Sequence, residues 1–223
     1  QIAATLQAIE AEPALELLGI QAYSGAVQHV ANLAERIEIV AQQEAMLRTL
    51  KRDLETRLGR PLIVSGGGTG THRLEAAEGV LTELQAGSYV FMDGDYGRNQ
   101  YSEACRFEQS LFIASTVMSV GGGARCILDA GLKSLAVDSG LPTLWQGGAA
   151  SATLAYTAAN DEHGIVRLAD GAPAGTELPP LGSQLLLVPG HCDPTLNLHD
   201  QLVAVRGGLV QALWPVAARG FSR

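Results

Sequence analysis

The sequence predicts an α/β region followed by an all-β region. Over about the first 95 residues, segments with helical and with strand-like patterns alternate; after residue 101, short strand-like segments are separated by Gly and Pro clusters. Strand–helix alternation is typical of a parallel sheet, open or closed into a barrel, whereas many short strands are typical of a sandwich or barrel. We therefore predict two domains, residues 1–100 and residues 101–223.

The composition argues against several classes of function. The net charge of −8, the 5% aromatic content and the lack of a Lys/Arg cluster disfavour binding to nucleic acid or to an anionic membrane. No apolar run approaches the ~20 residues that a membrane helix needs. The three cysteines lie far apart and form no CxxC pair, which suits free thiols in a reducing cytoplasm.

The α/β region contains three predicted strands, too few to close a barrel. Its longest helical pattern has no internal Pro or Gly and ends before Gly59 and Pro61, which are ordinary stop signals. In order, the predicted elements are a helix over 3–18 interrupted at Pro13, a strand over 19–23, a helix over 28–59, a strand over 61–64, a short helix or turn over 72–80 and a strand over 81–85.

A Gly-rich turn at residues 65–71 follows the second strand. Its glycines leave backbone N–H groups uncovered and its hydroxyls add donors, so such a turn can bind a phosphate; a plain tight turn is the alternative. It lacks the Lys of a P-loop and the third Gly of a dinucleotide fingerprint. Hydroxyls also follow the other two strands, at 23–24 and 87–89, and the ends of parallel strands share one edge, which favours phosphate binding.

The all-β region carries a candidate metal pair, His191 and Asp193. In an extended segment these two side chains point the same way, with Cys192 on the other side. Imidazole plus carboxylate suits Mn²⁺, Zn²⁺ or Co²⁺, and two protein ligands leave positions for water and substrate; a polar surface loop is the alternative. Strands in this region are predicted at 108–120, 125–128, 153–157, 164–168, 183–188, 201–205 and 208–214.

Other polar residues have less defined roles. His163, in a predicted turn, is a candidate third ligand, acid/base or partner of the ligands, with a solvated turn as the alternative. His29, near a strand end and a helix start, and His72, after the Gly-rich turn, fit either a structural or a functional role. Neither Lys51 nor Lys133 follows a strand of the α/β region, so neither is a convincing Schiff-base lysine.

Five segments resemble, in this order, those of the D-threonine aldolases. They are SGGGTGT at 65–71, LQAGSYVFMD at 84–93, DAGLK at 129–133, EHG at 162–164 and HCDPT at 191–195, of which the second and the last are the most specific. This family consists of pyridoxal-phosphate enzymes with an alanine-racemase-like fold, a (β/α)₈ barrel followed by a C-terminal β-domain. The resemblance covers essentially the whole chain and implies that it holds the last three barrel strands and the β-domain with the metal segment.

The resemblance also implies roles for single residues. The cofactor phosphate would lie on Gly67, Gly68, Thr69, Gly87 and Ser88, with Tyr23 beside the cofactor ring. His191 and Asp193 would hold a divalent metal (Mn²⁺, or else Zn²⁺, Co²⁺ or Mg²⁺) near the substrate's β-hydroxyl, and His29 would be the base for that hydroxyl. The implied reaction cleaves β-hydroxy-D-amino acids such as D-threonine to glycine and an aldehyde.

The resemblance further implies a missing portion. The family's cofactor-anchoring lysine belongs to an amino-terminal portion that has no counterpart in this sequence, which begins at Gln1. We expect that portion as a separate chain, a preceding segment or a cleaved piece. By analogy with relatives of the fold we also expect a homodimer.

Two other functions stay open. The eukaryotic-type D-serine dehydratases share the fold but have a His-x-Cys metal pair; here the second position is Asp193 and Cys192 is one residue out of register, which favours the aldolase. A non-catalytic pyridoxal-phosphate-binding protein is the other alternative, because a working lysine is lacking.

Overall fold

The computed structural model describes residues 2–102, 106–122 and 125–221. Contacts divide the chain into two compact units, the first taking residues 1–87 and 99–105 and the second residues 88–98 and 106–223; the predicted domain boundary near residue 100 stays a prediction. Cys105 lies outside the described residues, while Cys126 and Cys192 are free and buried. No helix in the described ranges is long and apolar enough to cross a membrane.

The first unit is built of helices and a parallel sheet. Its elements are α1 (Ile2–Ala11), β1 (Gly19–Gln21), a 3₁₀ helix (Ala26–His29), α2 (Leu33–Leu58), β2 (Ile63–Gly66), α3 (His72–Glu78) and β3 (Glu83–Leu84). The strands pair in the order β1–β2–β3, with Gly19 opposite Ile63 and Ser65 opposite Glu83. The parallel pairing of strands separated by helices confirms the predicted α/β class.

Helix α2 begins at Leu33 and not at residue 28 as predicted, because Asn32 caps it. The Asn32 side chain accepts the Glu35 N–H at 3.1 Å, and Asn three residues before Glu is a helix-start signal. The helix ends where predicted: Gly59 adopts a left-handed φ of 66°, and its N–H bonds to the Glu55 carbonyl at 2.9 Å.

Leucines hold α1 and α2 to the sheet of the first unit. Leu6, Leu54 and Leu62 form a buried cluster against which Ile20 packs. Gly19 lets the strands approach, since a Cβ there would lie 2.2 Å from the Ile63 carbonyl oxygen. The pairing of β1 with β2 thus requires a small residue at position 19.

A cavity of about 290 Å³ in the first unit contains an unpaired carboxylate. Much of its lining is aliphatic: Ile20, Ala22, Leu47, Leu50 and Leu81. Glu44, which also lines it, is 5% exposed, and neither carboxylate oxygen has a hydrogen-bond partner among the described residues. Burial, followed by the charges of Glu78 and Glu75, raises the pKa of Glu44 to about 7, with Arg48 opposing the shift.

Replacing Glu44 with leucine is expected to raise the free energy of unfolding by about 1–2 kcal/mol at pH 8, because the substitution removes an unpaired carboxylate from an apolar site. The folded protein holds the Glu44 proton more tightly than the unfolded chain. Ionisation of Glu44 therefore lowers the free energy of unfolding as the pH rises from about 4.5 to about 7. The stabilisation by Glu44→Leu should consequently be smaller at pH 5 than at pH 8. Urea unfolding at both pH values measures it.

Glu38→Leu is the matched control, since Glu38 is exposed on the same helix. We expect it to change stability by less than about 0.5 kcal/mol at either pH. A Glu44→Leu gain that is equal at pH 5 and pH 8 would show that the carboxylate is not the destabilising group.

The second unit is built of antiparallel strands. Its elements are a 3₁₀ helix (Ser88–Val90), α4 (Gly94–Gly97), β4 (Ile113–Gly121), β5 (Arg125–Leu128), β6 (Thr143–Gln146), β7 (Ala149–Ala150), β8 (Leu154–Ala159), β9 (Gly164–Leu168), β10 (Gln184–Val188), α5 (Cys192–Leu196), β11 (Gln201–Arg206) and β12 (Leu209–Pro215). Over the described residues, seven strands form a sheet in the order β7–β6–β10–β4–β5–β9–β8, and β11 and β12 form a hairpin. These strands confirm the predicted all-β module.

Strands β6 and β7 are elements that the sequence pattern does not predict. β6 has four residues, bounded by Pro142 and Gly147, and gives too short a pattern to stand out from its turns. Its position in the sheet is set by pairing with β10, where Trp145 lies opposite Leu186. The buried Leu144 of β6 joins the main core of the unit, so tertiary packing decides this element.

Candidate functional site

The Gly-rich turn between β2 and α3 is fastened to the side chain of Gln28, which is fully buried. The Gln28 Oε1 accepts the Gly70 N–H at 2.9 Å, and its Nε2 donates to Thr71 Oγ1 at 2.8 Å. Thr71 Oγ1 accepts the Gly68 N–H at 3.3 Å and donates to the Glu75 carboxylate. Three buried polar side chains, those of Gln28, Thr71 and Glu75, therefore fix the shape of the turn.

Small residues are required where the turn meets Gln28. A Cβ on Gly68 would lie 2.5 Å from Gln28 Oε1, and one on Gly70 would lie 2.4 Å from the Gln28 carbonyl oxygen. Gly67 has a φ of 68°, a left-handed conformation that favours glycine. A backbone kept free of side chains in this way fits the cradle that a phosphate needs. The Gly68 N–H is directed to Thr71, and the phosphate contacts of Gly67, Gly68 and Thr69 stay a prediction.

The other predicted cofactor and base residues lie in exposed or half-exposed positions. Tyr23 follows β1 and is 44% exposed, and His29 is the exposed last residue of the 3₁₀ helix. Gly87 is exposed in the first unit, whereas the half-buried Ser88 opens the 3₁₀ helix of the second. Tyr23 thus stands at a strand end as predicted, while the cofactor and base roles stay predictions.

The predicted metal pair comes together in the second unit. His191 Nε2 lies 3.2 Å from Asp193 Oδ2, which also accepts a hydrogen bond from Ser88 Oγ at 3.3 Å. Two ligands in adjacent positions on one ion, each ~2.1 Å from it, are ~3 Å apart, so the pair fits a divalent metal. Within the described ranges no three or more His, Cys, Asp or Glu side chains are grouped to hold a metal, so this part of the chain offers an ion two such ligands.

The geometric reason for this meeting differs from the prediction. Residues 191–193 are not one extended segment: His191 is extended, with φ −141° and ψ 123°, and α5 begins at Cys192. The change of backbone conformation lets the His191 and Asp193 side chains converge from the residue before the helix and from its first turn. Cys192 between them is 1% exposed, and its burial, with the charges of Asp93 and Asp193, raises the pKa of the thiol.

Two carboxylates outside the predicted set contact the metal segment. Asp93 is 1% exposed; its Oδ2 accepts the Cys192 N–H at 2.8 Å, and its Oδ1 accepts the Tyr96 N–H at 2.9 Å. Asp138 Oδ2 lies 2.6 Å from His191 Nδ1. Burial lowers the pKa of His191, but the hydrogen bond and charge of Asp138 outweigh it and raise that pKa overall.

The sequence offered a signal for only one of these carboxylates. Asp93 ends the segment LQAGSYVFMD, one of the two most specific parts of the family resemblance, whereas Asp138 has the appearance of a turn residue. His163 lies exposed in the turn between β8 and β9 and is not part of a three-ligand group among the described residues. Its interpretation as a third ligand is therefore wrong.

Comparisons with known proteins first establish the fold class. The chain superimposes on the ala racemase-like protein of Idiomarina loihiensis with a TM-score of 0.70 at 22% identity, covering 88% of this chain and 55% of that one. It superimposes on D-threonine aldolase of Filomicrobium marinum with a TM-score of 0.89 at 36% identity, covering 100% of this chain and 59% of that one. The fold is therefore alanine-racemase-like, with part of the barrel and a C-terminal β-domain, as predicted.

Sequence comparisons then identify the relatives within that class. The chain is 48% identical to D-threonine aldolase of an Arthrobacter species, over 95% of this chain and 54% of that protein. It is 42% identical to 3-hydroxy-D-aspartate aldolase of Paracoccus denitrificans, over 96% of this chain and 54% of that protein. Residues 110–205 match the family described as a putative serine dehydratase domain. The chain is thus related to the D-threonine aldolases, and it spans about half the length of these curated relatives.

Proposed function

We propose that the complete protein is a pyridoxal-phosphate-dependent, divalent-metal-assisted aldolase that cleaves D-threonine-type β-hydroxy-D-amino acids to glycine and an aldehyde. The observation that carries the proposal is the approach of His191 Nε2 to Asp193 Oδ2, 3.2 Å apart, in a chain 48% identical to a D-threonine aldolase. Imidazole and carboxylate together suit Mn²⁺, Zn²⁺, Co²⁺ or Mg²⁺. We propose Mn²⁺ as the working ion.

The Gly-rich turn supplies the cofactor-binding part of the proposal. Pyridoxal phosphate, when bound, supplies an electron sink for the pair of electrons released when the Cα–Cβ bond breaks. We assign its phosphate to Gly67, Gly68, Thr69, Gly87 and Ser88, and its ring to a place beside Tyr23. The support for this assignment is the glycine backbone that the Gln28 and Thr71 side chains hold in a fixed turn.

Proton removal from the β-hydroxyl is the other requirement of the reaction. We propose that His29 takes this proton, since imidazole is the side chain best suited to accept a proton near neutral pH. His191 and Asp193 would hold positive charge where the oxygen becomes negative, which makes the proton easier to remove. In this proposal the chain supplies a base, His29, and a cation-binding pair, His191 and Asp193.

The proposal includes partners and a compartment. The substrate is a small β-hydroxy-D-amino acid, and an amino-terminal portion that carries the lysine completes the cofactor site. The support for such a portion is that the chain spans 54% of each of the two curated relatives described. We further propose a homodimer and a cytoplasmic location; the two free, buried thiols suit a reducing compartment.

A dehydratase of the same fold is the second candidate. It is favoured by the match of residues 110–205 to a putative serine dehydratase domain. Against it, the second ligand position is Asp193, and Cys192 is 1% exposed. A non-catalytic pyridoxal-phosphate-binding protein is a third candidate, and it has no use for a metal at His191 and Asp193.

Product analysis tests the proposed function. The complete protein, loaded with pyridoxal phosphate and Mn²⁺, is incubated with D-threonine, and we expect glycine and acetaldehyde in equal amounts. Chelation of the metal should abolish the reaction, and L-threonine should give no product. A keto acid plus ammonia would instead support the dehydratase, and cofactor binding without any product would support the non-catalytic protein.

A further inference from the structure

A carboxylate on a neighbouring loop contacts the face of His191 that points away from Asp193. Asp138 Oδ2 lies 2.6 Å from His191 Nδ1, whereas the other ring nitrogen, Nε2, is the one 3.2 Å from Asp193 Oδ2. The imidazole is thus held between two carboxylates. The two nitrogens cannot play the same role, because a ligand nitrogen must offer a lone pair and the other nitrogen must then carry the hydrogen.

We propose that Asp138 is a positioning residue that holds the hydrogen of His191 on Nδ1 and so turns the lone pair of Nε2 toward the metal. A carboxylate accepts hydrogen bonds and has none to donate, and a neutral imidazole has a single N–H. The shorter contact, 2.6 Å from Nδ1 to Asp138 against 3.2 Å from Nε2 to Asp193, places that N–H on Nδ1. This fixes both the tautomer and the ring orientation. The inference rests on the proposed function, since it gives Asp138 a role only if His191 binds a metal.

The loop that carries Asp138 is anchored to the metal segment by bonds that do not involve its carboxylate. The Ala136 N–H donates to Thr195 Oγ1 at 3.1 Å, and Thr195 Oγ1 donates to the His191 carbonyl at 2.7 Å. A Cβ on Gly190 would lie 2.2 Å from the Gly140 carbonyl oxygen, so the two segments touch backbone to backbone. Thr195 is 1% exposed. Asp138 therefore has a fixed backbone from which to reach the imidazole.

The exposure of Asp138 allows its role to be separated from stability. Its side chain is 53% exposed, and the backbone anchors remain when the carboxylate is removed. An exposed ion pair contributes little to folding. Loss of the carboxylate should consequently change the tautomer and the metal affinity, while the melting temperature stays close to that of the unaltered protein.

Two measurements on the purified protein test the inference. In the metal-free protein, at a pH at which the His191 ring is neutral, ¹⁵N NMR of the histidine rings should show His191 as the Nδ1–H tautomer, and Asp138→Ala should lose this preference. Titration calorimetry with Mn²⁺ should show affinity weakened about 10–100-fold in Asp138→Ala. Asp138→Asn keeps a hydrogen-bond acceptor but not the charge, so its Mn²⁺ affinity should lie between those of the unaltered protein and Asp138→Ala. Asp170→Asn, an exposed acidic residue in the same unit, is the matched control and should bind Mn²⁺ normally.

The outcomes distinguish this inference from the proposed function. If the unaltered protein binds no Mn²⁺, the metal-assisted function fails and the inference fails with it. If the unaltered protein binds Mn²⁺ and Asp138→Ala binds it equally well with an unchanged tautomer, only the inference is overturned. Weaker binding by Asp138→Ala with an unchanged tautomer would also overturn it, since the effect would then be one of charge alone.

Discussion

Replacing His191 with alanine is expected to abolish specific Mn²⁺ binding and to lower aldol cleavage by the complete protein at least about a thousandfold. The substitution removes one of two protein ligands, and the loss of a cation beside a developing alkoxide costs several kcal/mol, at 1.36 kcal/mol per tenfold in rate. Asp193 alone would be left to bind the ion. Calorimetric titration with Mn²⁺ and a steady-state assay with D-threonine measure the two effects.

His163→Ala is the matched control for this experiment. His163 lies exposed in the turn between β8 and β9 of the same unit, so the change removes an imidazole outside the metal pair. We expect Mn²⁺ affinity and turnover to stay within about twofold of the unaltered protein, as for an exposed residue away from the site. Normal Mn²⁺ binding by His191→Ala would show that the metal lies elsewhere, and the proposed role of the HCDPT segment would be wrong.

Replacing Gly70 with alanine is expected to lower the free energy of unfolding by about 2–3 kcal/mol and to weaken pyridoxal-phosphate binding. The new Cβ would lie 2.4 Å from the Gln28 carbonyl oxygen and 3.0 Å from its Cα, so backbone must move. A shift of this turn would disturb the Gln28 bonds to Gly70 and Thr71 together. Urea unfolding and a cofactor titration followed by absorbance check the two parts.

Gly25→Ala provides the comparison in the same unit. Gly25 has a φ of −63° and a ψ of −45°, which alanine adopts without strain, and its Cβ would have only a 3.7 Å contact with Tyr23. We expect stability within about 0.5 kcal/mol of the unaltered protein. Equal effects at positions 25 and 70 would mean that the approach of the turn to Gln28 does not limit the fold.

Local patterns in the sequence were enough for much of the fold. The end of helix α2 at Gly59 and the strands β5 and β9 follow from stop signals and alternation that a short window contains. The start of the helix is predicted too early, although Asn32 and Glu35 form a capping signal, because residues 28–32 contain no Pro or Gly to interrupt the helical pattern. Short strand β6 depends on its neighbour β10 and has no sufficient signal of its own.

The candidate site likewise contains local features that the sequence predicts and long-range contacts that it does not. His191 and Asp193 are two residues apart, so spacing could suggest their meeting even though the assumed extended backbone was wrong. Gln28 and Asp138 act over much longer separations: 42 residues between Gln28 and Gly70, and 53 between Asp138 and His191. A contact between residues so far apart in the sequence depends on the tertiary fold, which local patterns in a single sequence do not specify.

The backbone of the HCDPT segment is fixed at two points. Asp93, from outside the segment, accepts the Cys192 N–H, and the segment's own Thr195 donates to the His191 carbonyl. The side chain at position 193, by contrast, is 68% exposed. The scaffold therefore constrains the path of the chain but not the chemistry of that one ligand. Replacing the carboxylate at position 193 with a thiolate would shift the preference of the metal site from hard toward softer ions without a change of fold. Lyases of this architecture thus have a short evolutionary route for diverging in the metal they use.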